Sequence, residues 1–210
     1  MEEQIINMPA VALRGLTILP GMIAHFDVSR ERSLRAVEEA MEQDQKIYLV
    51  TQRNVDSEDP TQEDLYQMGI VADIKQVVRL QNDVVRILVD GISRAALLGF
   101  TDNEKYLEAE ICYCDSNADS LPEDLREAML LGVREAFHRY AAVVGKISKE
   151  LIRQIDQYED LEKLIDYVTN NLPVSYELKQ QVLEAEDIND RYQVIVSLLL
   201  SQVEVISIKN

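Results

Sequence analysis

Apolar residues recur with two different periods along this chain, and the change falls close to residue 115. Before it, apolar and polar positions alternate in short runs rich in β-branched and aromatic residues, the pattern of half-buried strands. Ile5 to Val11 predicts a strand, and Leu16 to Leu19 a second short one before the Pro20-Gly21 turn. Ser29 is placed to cap a helix running to about Gln43, with Leu34, Val37 and Met41 as its apolar stripe. Lys46 to Gln52 predicts a strand, and the acidic and amide-rich stretch from Arg53 to Asp64, with Pro60 inside it, predicts a loop. Ile70–Leu80 and Val84–Asp90 form the clearest hairpin, joined by Gln81-Asn82-Asp83 and ended by Gly91. Arg94 to Phe100 and Tyr106 to Cys114 complete the set. Short strands so closely spaced predict a closed or nearly closed β-structure, because closure removes exposed edges.

After Asp115 the period becomes about 3.6. Ser120-Leu121-Pro122-Glu123 reads as a helix start, with Ser120 as cap and the stripe Leu125, Met129, Val133, Ala136, Phe137, Tyr140, Val144 ended by Gly145. Ser148 opens a short helix with Leu151, Ile152 and Ile155. Leu161, Leu164, Ile165 and Val168 mark another, stopped by Pro173, and Ser175 opens a fourth with Leu178, Val182 and Leu183. Asp187 caps a last helix whose stripe, Ile188, Tyr192, Ile195, Leu199, Val203 and Ile206, runs almost to Asn210 without a Gly or Pro stop. About 20 helical residues span about 30 Å. This length predicts a helix that projects, or that continues in further chain. The fold class is therefore α+β: a β-rich lobe over residues 1–115 with one helix, then an all-α lobe over 116–210 ending in a long helix.

Composition changes this picture mainly by exclusion. The 210 residues carry 38 Asp and Glu against 21 Lys and Arg, a formal charge of −17. The acidity is spread over both halves, with 21 acids and 11 bases up to residue 115 and 17 and 10 after it. Such a surface repels phosphate backbones and anionic lipid, so neither nucleic acid nor membrane is expected as a partner. The start is acidic, no secretory pattern follows, and the densest apolar run, Val194–Leu200, is short for a membrane span. With two cysteines and no disulfide framework, a cytoplasmic location is expected.

No residue set suggests catalysis. The one Gly-Lys pair, Gly145-Lys146, is followed by Ile147, and five positions earlier stands Tyr140, so the phosphate-cradling loop of nucleotide hydrolases is missing. Cys112 and Cys114 offer two thiolates where a structural zinc needs four ligands, and His25 and His138 lie in different halves. Neither histidine has a recognisable nucleophile beside it. No cofactor and no metal are expected. What remains is contact surface. Leu19, Pro20, Met22 and Ile23 form an apolar turn that either folds back on the β core or offers an exposed patch. Leu80 and Val84 flank the hairpin tip and are the second candidate.

Three blocks in the first half and a set in the second make the chain resemble the N-terminal domain of ATP-dependent Lon proteases. They are Leu13-Arg14 through Ile18-Leu19-Pro20; Asp64-Leu65-Tyr66 with Gly69 and Ala72; and Val89-x-Gly91-x-x-Arg94. The helical half adds Leu172-Pro173, Lys179-Gln180, Leu183-Glu184 and Arg191. Departures from the family pattern stand at Ala12 and Ala24, where proline is usual, and at Ile70, where the family has threonine. The resemblance implies that the β-lobe is PUA-like, a small partly closed barrel with one helix. It also implies a non-catalytic role in an ATP-dependent protease: recognising unfolded or damaged proteins through exposed apolar surface, and supporting a hexamer. The ATPase module and the Ser-Lys dyad belong to other parts of such proteins. The alternatives are a purely structural oligomerisation and spacing module, or a stand-alone interaction protein of the same fold.

Overall fold

In the computed structural model, which describes residues 4–210, the alternating segments become six strands of one sheet: β1 (Ile5–Leu13), β2 (Ile23–Val28), β3 (Lys46–Thr51), β4 (Met68–Arg79), β5 (Val85–Phe100) and β6 (Glu108–Tyr113). Their order is β2-β5-β4-β3-β1-β6, and β5 also pairs with β6. Five strands thus close on themselves, with β2 added along the first half of β5. The 16-residue β5 makes this possible. Its Val85–Asp90 half pairs with β2, and its Ala95–Phe100 half pairs with β6. Register shifts at Val71/Ala72, Ile74/Gln76 and Leu97/Gly99 are bulges, which bend and twist the ribbon as closure requires.

Period-two alternation sends side chains of one strand into two separate cores. From β1, Val11 and Leu13 enter one cluster with Ile47, Leu49, Ile74, Ile87 and Val89. Met8, Ala10 and Ala12 enter the other, with Tyr48, Val50, Val71, Leu97 and Ile111. β1 and β3 are buried on both faces, which is why β3 reads as a nearly unbroken apolar run. The single helix of this unit, α1 (Glu31–Glu42), packs on β1 and β3.

Three expectations for this unit need correction. Leu16–Leu19 is not a strand. It is a loop whose Ile18 and Leu19 are buried, and the second strand is instead Ile23–Val28. Gly91 does not end a strand, because β5 continues through it. A Cβ at Gly91 would lie 2.4 Å from the Leu19 carbonyl oxygen, so glycine is there to let the Leu19–Met22 loop lie on the strand. The loop is tied down where Gly21 N–H donates to Gly91 O at 2.8 Å and Gly91 N–H donates to Met22 O at 2.9 Å. Ser29 is not a cap either. Arg30 holds the N-cap position of α1, without a side-chain bond.

Contacts divide the chain between Cys114 and Asp115. The second unit consists of α2 (Glu123–Val144), α3 (Lys149–Gln157), α4 (Leu161–Asn170), α5 (Tyr176–Glu184) and α6 (Ile188–Lys209). Ser148, Ser175 and Asp187 cap α3, α5 and α6 as the sequence predicts, and Asp160 caps α4. Ser120 does not cap α2. It closes a short turn by donating to Asn117 O at 2.7 Å, and Pro122 takes the N-cap position. Gly145, at φ 73°, ends α2. Val133, Phe137, Leu164, Ile165, Val168, Val182, Ile195 and Leu199 are buried. α2 and α6 pack together, and a Cβ at Gly132 would lie 2.1 Å from the Tyr192 hydroxyl, so glycine leaves room for that side chain.

Arg191 on α6 is almost fully buried. Its guanidinium donates to Ala185 O and Glu186 O, both at 3.0 Å, and pairs with Glu162 at 3.2 Å. Among the described residues α6 is the one helix with the length and apolar content for a membrane span, a wider apolar stretch than Val194–Leu200 alone. Toward its start Ile188, Arg191, Ile195, Leu198 and Leu199 are buried in the helical unit, while its other residues are half-buried or exposed.

Candidate contact surface

The two apolar patches expected from the sequence separate in space. Leu19 is 0% exposed and leaves the candidate surface. In the Pro20-Gly21 turn, closed by Met22 N–H donating to Leu19 O at 3.1 Å, Pro20 is half-buried. Met22 is also half-buried, packed on the first core cluster. Only Ile23 stands out, at 68% exposed. Ile23 pairs with Asp90 and Val28 with Val85, so the Ile23 end of β2 lies about five residues, or about 17 Å, from the end beside the hairpin.

Leu80 and Val84 keep their place at the hairpin tip. Asn82 and Asp83 both take positive φ, 61° and 58°, in the tight turn between them, and Leu80 N–H donates to Val84 O at 2.8 Å. Leu80 is exposed and Val84 half-buried. Together with Val77 and Val85 they form one wall of a groove of about 940 Å³, and Leu34, Val37 and Met41 of α1 form the other. The sequence identifies these residues as the apolar stripe of α1 without saying which of them another element covers. The core-facing side of α1 is Ser33, Ala36, Val37 and Ala40, small residues that let the helix sit close to the sheet. The large side chains Leu34 and Met41 fall to its edge and line the groove. The readable hint was a stripe too wide for one core face, with its bulky members displaced from its small ones.

Charge around this groove is one-sided. Glu31, Glu38 and Glu42 of α1 and Asp83 of the turn border it, with Arg79 as the single base. Glu31 is paired with Arg35 on the same helix. On the far side of β2, the guanidinium of Arg86 donates to Asp27 at 2.8 Å and holds that carboxyl below its ordinary range.

The residues examined for catalysis and metal binding stay apart. His138 pairs with Asp156 at 2.7 Å, both partly exposed on the helical unit, and His25 lies exposed on β2 opposite Leu88. Cys112 and Cys114 are half-buried, and Cys114 Sγ sits 3.4 Å from Met68 Sδ. Among the described residues, no three His, Cys, Asp or Glu side chains gather as a metal site would need.

More than half of the residues that carried the resemblance are buried, Leu13, Leu65, Val89, Leu172, Leu183 and Gln180 among them. Gly69 leaves room for Tyr48, whose hydroxyl donates to Ala95 O at 2.9 Å; a Cβ at Gly69 would meet that hydroxyl at 2.5 Å.

The family model described as "ATP-dependent protease La (LON) substrate-binding domain" matches residues 7–201. A Lon protease of Lachnoclostridium phytofermentans is 36% identical over 209 residues, which are 100% of this chain and 26% of that protein. Lon protease 1 of Bacillus subtilis is 31% identical over 208 residues, 99% of this chain and 27% of its own length. The chain therefore spans about a quarter of the curated relatives it matches. Among solved structures, the N-terminal domain of the Mycobacterium avium complex Lon protease superposes with a TM-score of 0.74 at 18% identity, covering 93% of this chain and 98% of that one. A Lon N-terminal domain protein from Xanthomonas campestris gives 0.61 at 13% identity. These two carry the fold, and the first two carry the kinship. On the extent of the family match and the identity to these relatives, the chain belongs to the Lon substrate-binding domain family.

Proposed function

We propose that this chain is the non-catalytic client-recognition part of an ATP-dependent Lon-type protease, working in the cytoplasm and capturing unfolded or damaged proteins by their apolar segments. The observation that carries the reading is the groove between α1 and the β4–β5 hairpin, where Leu34, Met41, Val77, Leu80 and Val84 leave apolar surface in contact with water. Burying ~200 Å² of apolar surface there would yield ~5 kcal/mol before association costs. A single copy would then bind in the micromolar-to-millimolar range. Linked copies in a hexamer would raise the overall affinity through effective concentration. In this reading the chain neither hydrolyses ATP nor cleaves peptide bonds, and needs no cofactor.

Fluorescence anisotropy of a labelled, permanently unfolded protein tests the proposal. Titration with the chain should give saturable binding, and Met41→Asp with Leu80→Asp should weaken it at least tenfold while circular dichroism stays unchanged. Binding that ignores both substitutions would remove the groove from the account.

A second reading, self-association, is favoured by the outer part of α6, where Val205 is 41% and Ile208 85% exposed. Sedimentation velocity across a concentration range distinguishes the two. Stable assembly without affinity for unfolded clients would favour a structural module.

A further inference from the structure

We propose that the α1–hairpin groove selects for charge, taking apolar segments interleaved with Lys or Arg and rejecting those interleaved with Asp or Glu. The inference rests on the reading of this groove as a client contact and adds the class of segment it accepts. Its apolar side chains alone would not discriminate among hydrophobic sequences. Its border does. Four carboxylates, Glu31, Glu38, Glu42 and Asp83, face it against one guanidinium, Arg79.

Geometry makes the border usable. Glu31, Glu38 and Glu42 stand seven and four residues apart on one helix, so at ~1.5 Å per residue they are spaced by about 10 and 6 Å along the α1 wall. Residues two apart in an extended chain share a face and are separated by about 7 Å, which matches the Glu38–Glu42 spacing. An extended client lying along α1 can therefore place alternate basic side chains near Glu38 and Glu42 while the residues between them face the apolar side chains of the groove. Lys and Arg suit this position further because their stems are apolar. They can lie along the groove wall while the charged head stays in water beside a carboxylate. A glutamate in the same place would sit among four like charges, with only Arg79 to answer it. Glu31 is the least available of the four, since Arg35 pairs with it. Glu38, Glu42 and Asp83 are the residues expected to decide.

Two labelled peptides test this, with the same apolar residues in the same order and either Lys or Glu at the alternate positions. Anisotropy titrations with the 210-residue chain should show at least a tenfold preference for the Lys peptide at about 50 mM salt. The preference should shrink to a few-fold near 0.5 M, as screening of exposed charges requires. Glu38→Lys with Glu42→Lys should reverse the preference. If both peptides bind equally, and Leu80→Asp weakens both, the charge selection is overturned and the groove stands. If neither peptide binds, or Leu80→Asp and Met41→Asp change nothing, the client-contact reading falls with it.

Discussion

Arg191 shows how a signature residue works in this chain. Buried on α6, it supplies donors to the carbonyl groups of Ala185 and Glu186, which the end of α5 leaves without helical partners, and reaches Glu162 on α4. Replacing it with methionine keeps much of the volume but strands those carbonyls. Arg191→Met should cost about 3 kcal/mol in urea unfolding followed by circular dichroism. An unchanged midpoint would show the network to be decorative. Asp187 gives a pH-dependent counterpart. The backbone N–H of Asn189 and then the Asn117 side chain hydrogen-bond to its carboxylate and hold it below the ordinary aspartate range. A depressed folded-state pKa contributes stability above the unfolded value, near 3.9, and that stability is lost as pH falls through the folded value. Asp187→Asn keeps a competent cap that does not titrate. The variant's urea midpoint should therefore fall less than the parent's between about pH 5 and pH 2. At this scale the sequence was legible wherever a residue's role was packing. Gly69, Gly91, Leu183 and Arg191 could be matched to a family because each occupies a place that little else fits. Leu80 was a candidate from its place at the hairpin tip, whereas Met41 has no such constraint, and its position on the groove became visible only when α1 was seen beside the hairpin.

At the scale of elements, those that depend on neighbours in sequence could be read, and those that depend on neighbours in space could not. The hairpin and most of the helices announced themselves by turn residues, caps and period. Ser148 caps the start of α3, its hydroxyl accepting from Leu151 N–H at 3.1 Å. Ser148→Ala should cost about 1 kcal/mol in thermal or urea unfolding, whereas Ser29→Ala should cost close to nothing, because Ser29 caps no helix. Equal losses would contradict the assignment. β2 was missed because Ile23 and its neighbours looked like the tail of an apolar turn, and its pairing with β5 is made across some 60 positions of chain. The continuity of β5 was missed because a glycine in a strand usually marks an interruption. Here it marks a close crossing by the Leu19–Met22 loop.

For the whole molecule, the α+β class and the closed sheet followed from strand spacing and the change of period, while the contact surface did not. Of the six side chains expected to meet clients, Leu19 is interior, Pro20 and Met22 are half-covered, and Ile23 lies alone at the other end of β2. Leu80 and Val84 remain, joined by Leu34 and Met41 of the α1 stripe. A helical stripe reports which residues are apolar, not which of them another element covers. In the proposed reading, the net charge of −17 would help keep such a surface in solution, and the excess of carboxylates around the groove would turn a general apolar contact into a selective one. The most direct test is methyl NMR of the labelled chain titrated with an unlabelled unfolded protein. The account predicts progressive shifts at Leu34, Val37, Met41, Val77, Leu80 and Val84, with Leu19 and the methyls of the helical core unmoved. Saturable binding that leaves those six methyls where they were would contradict it.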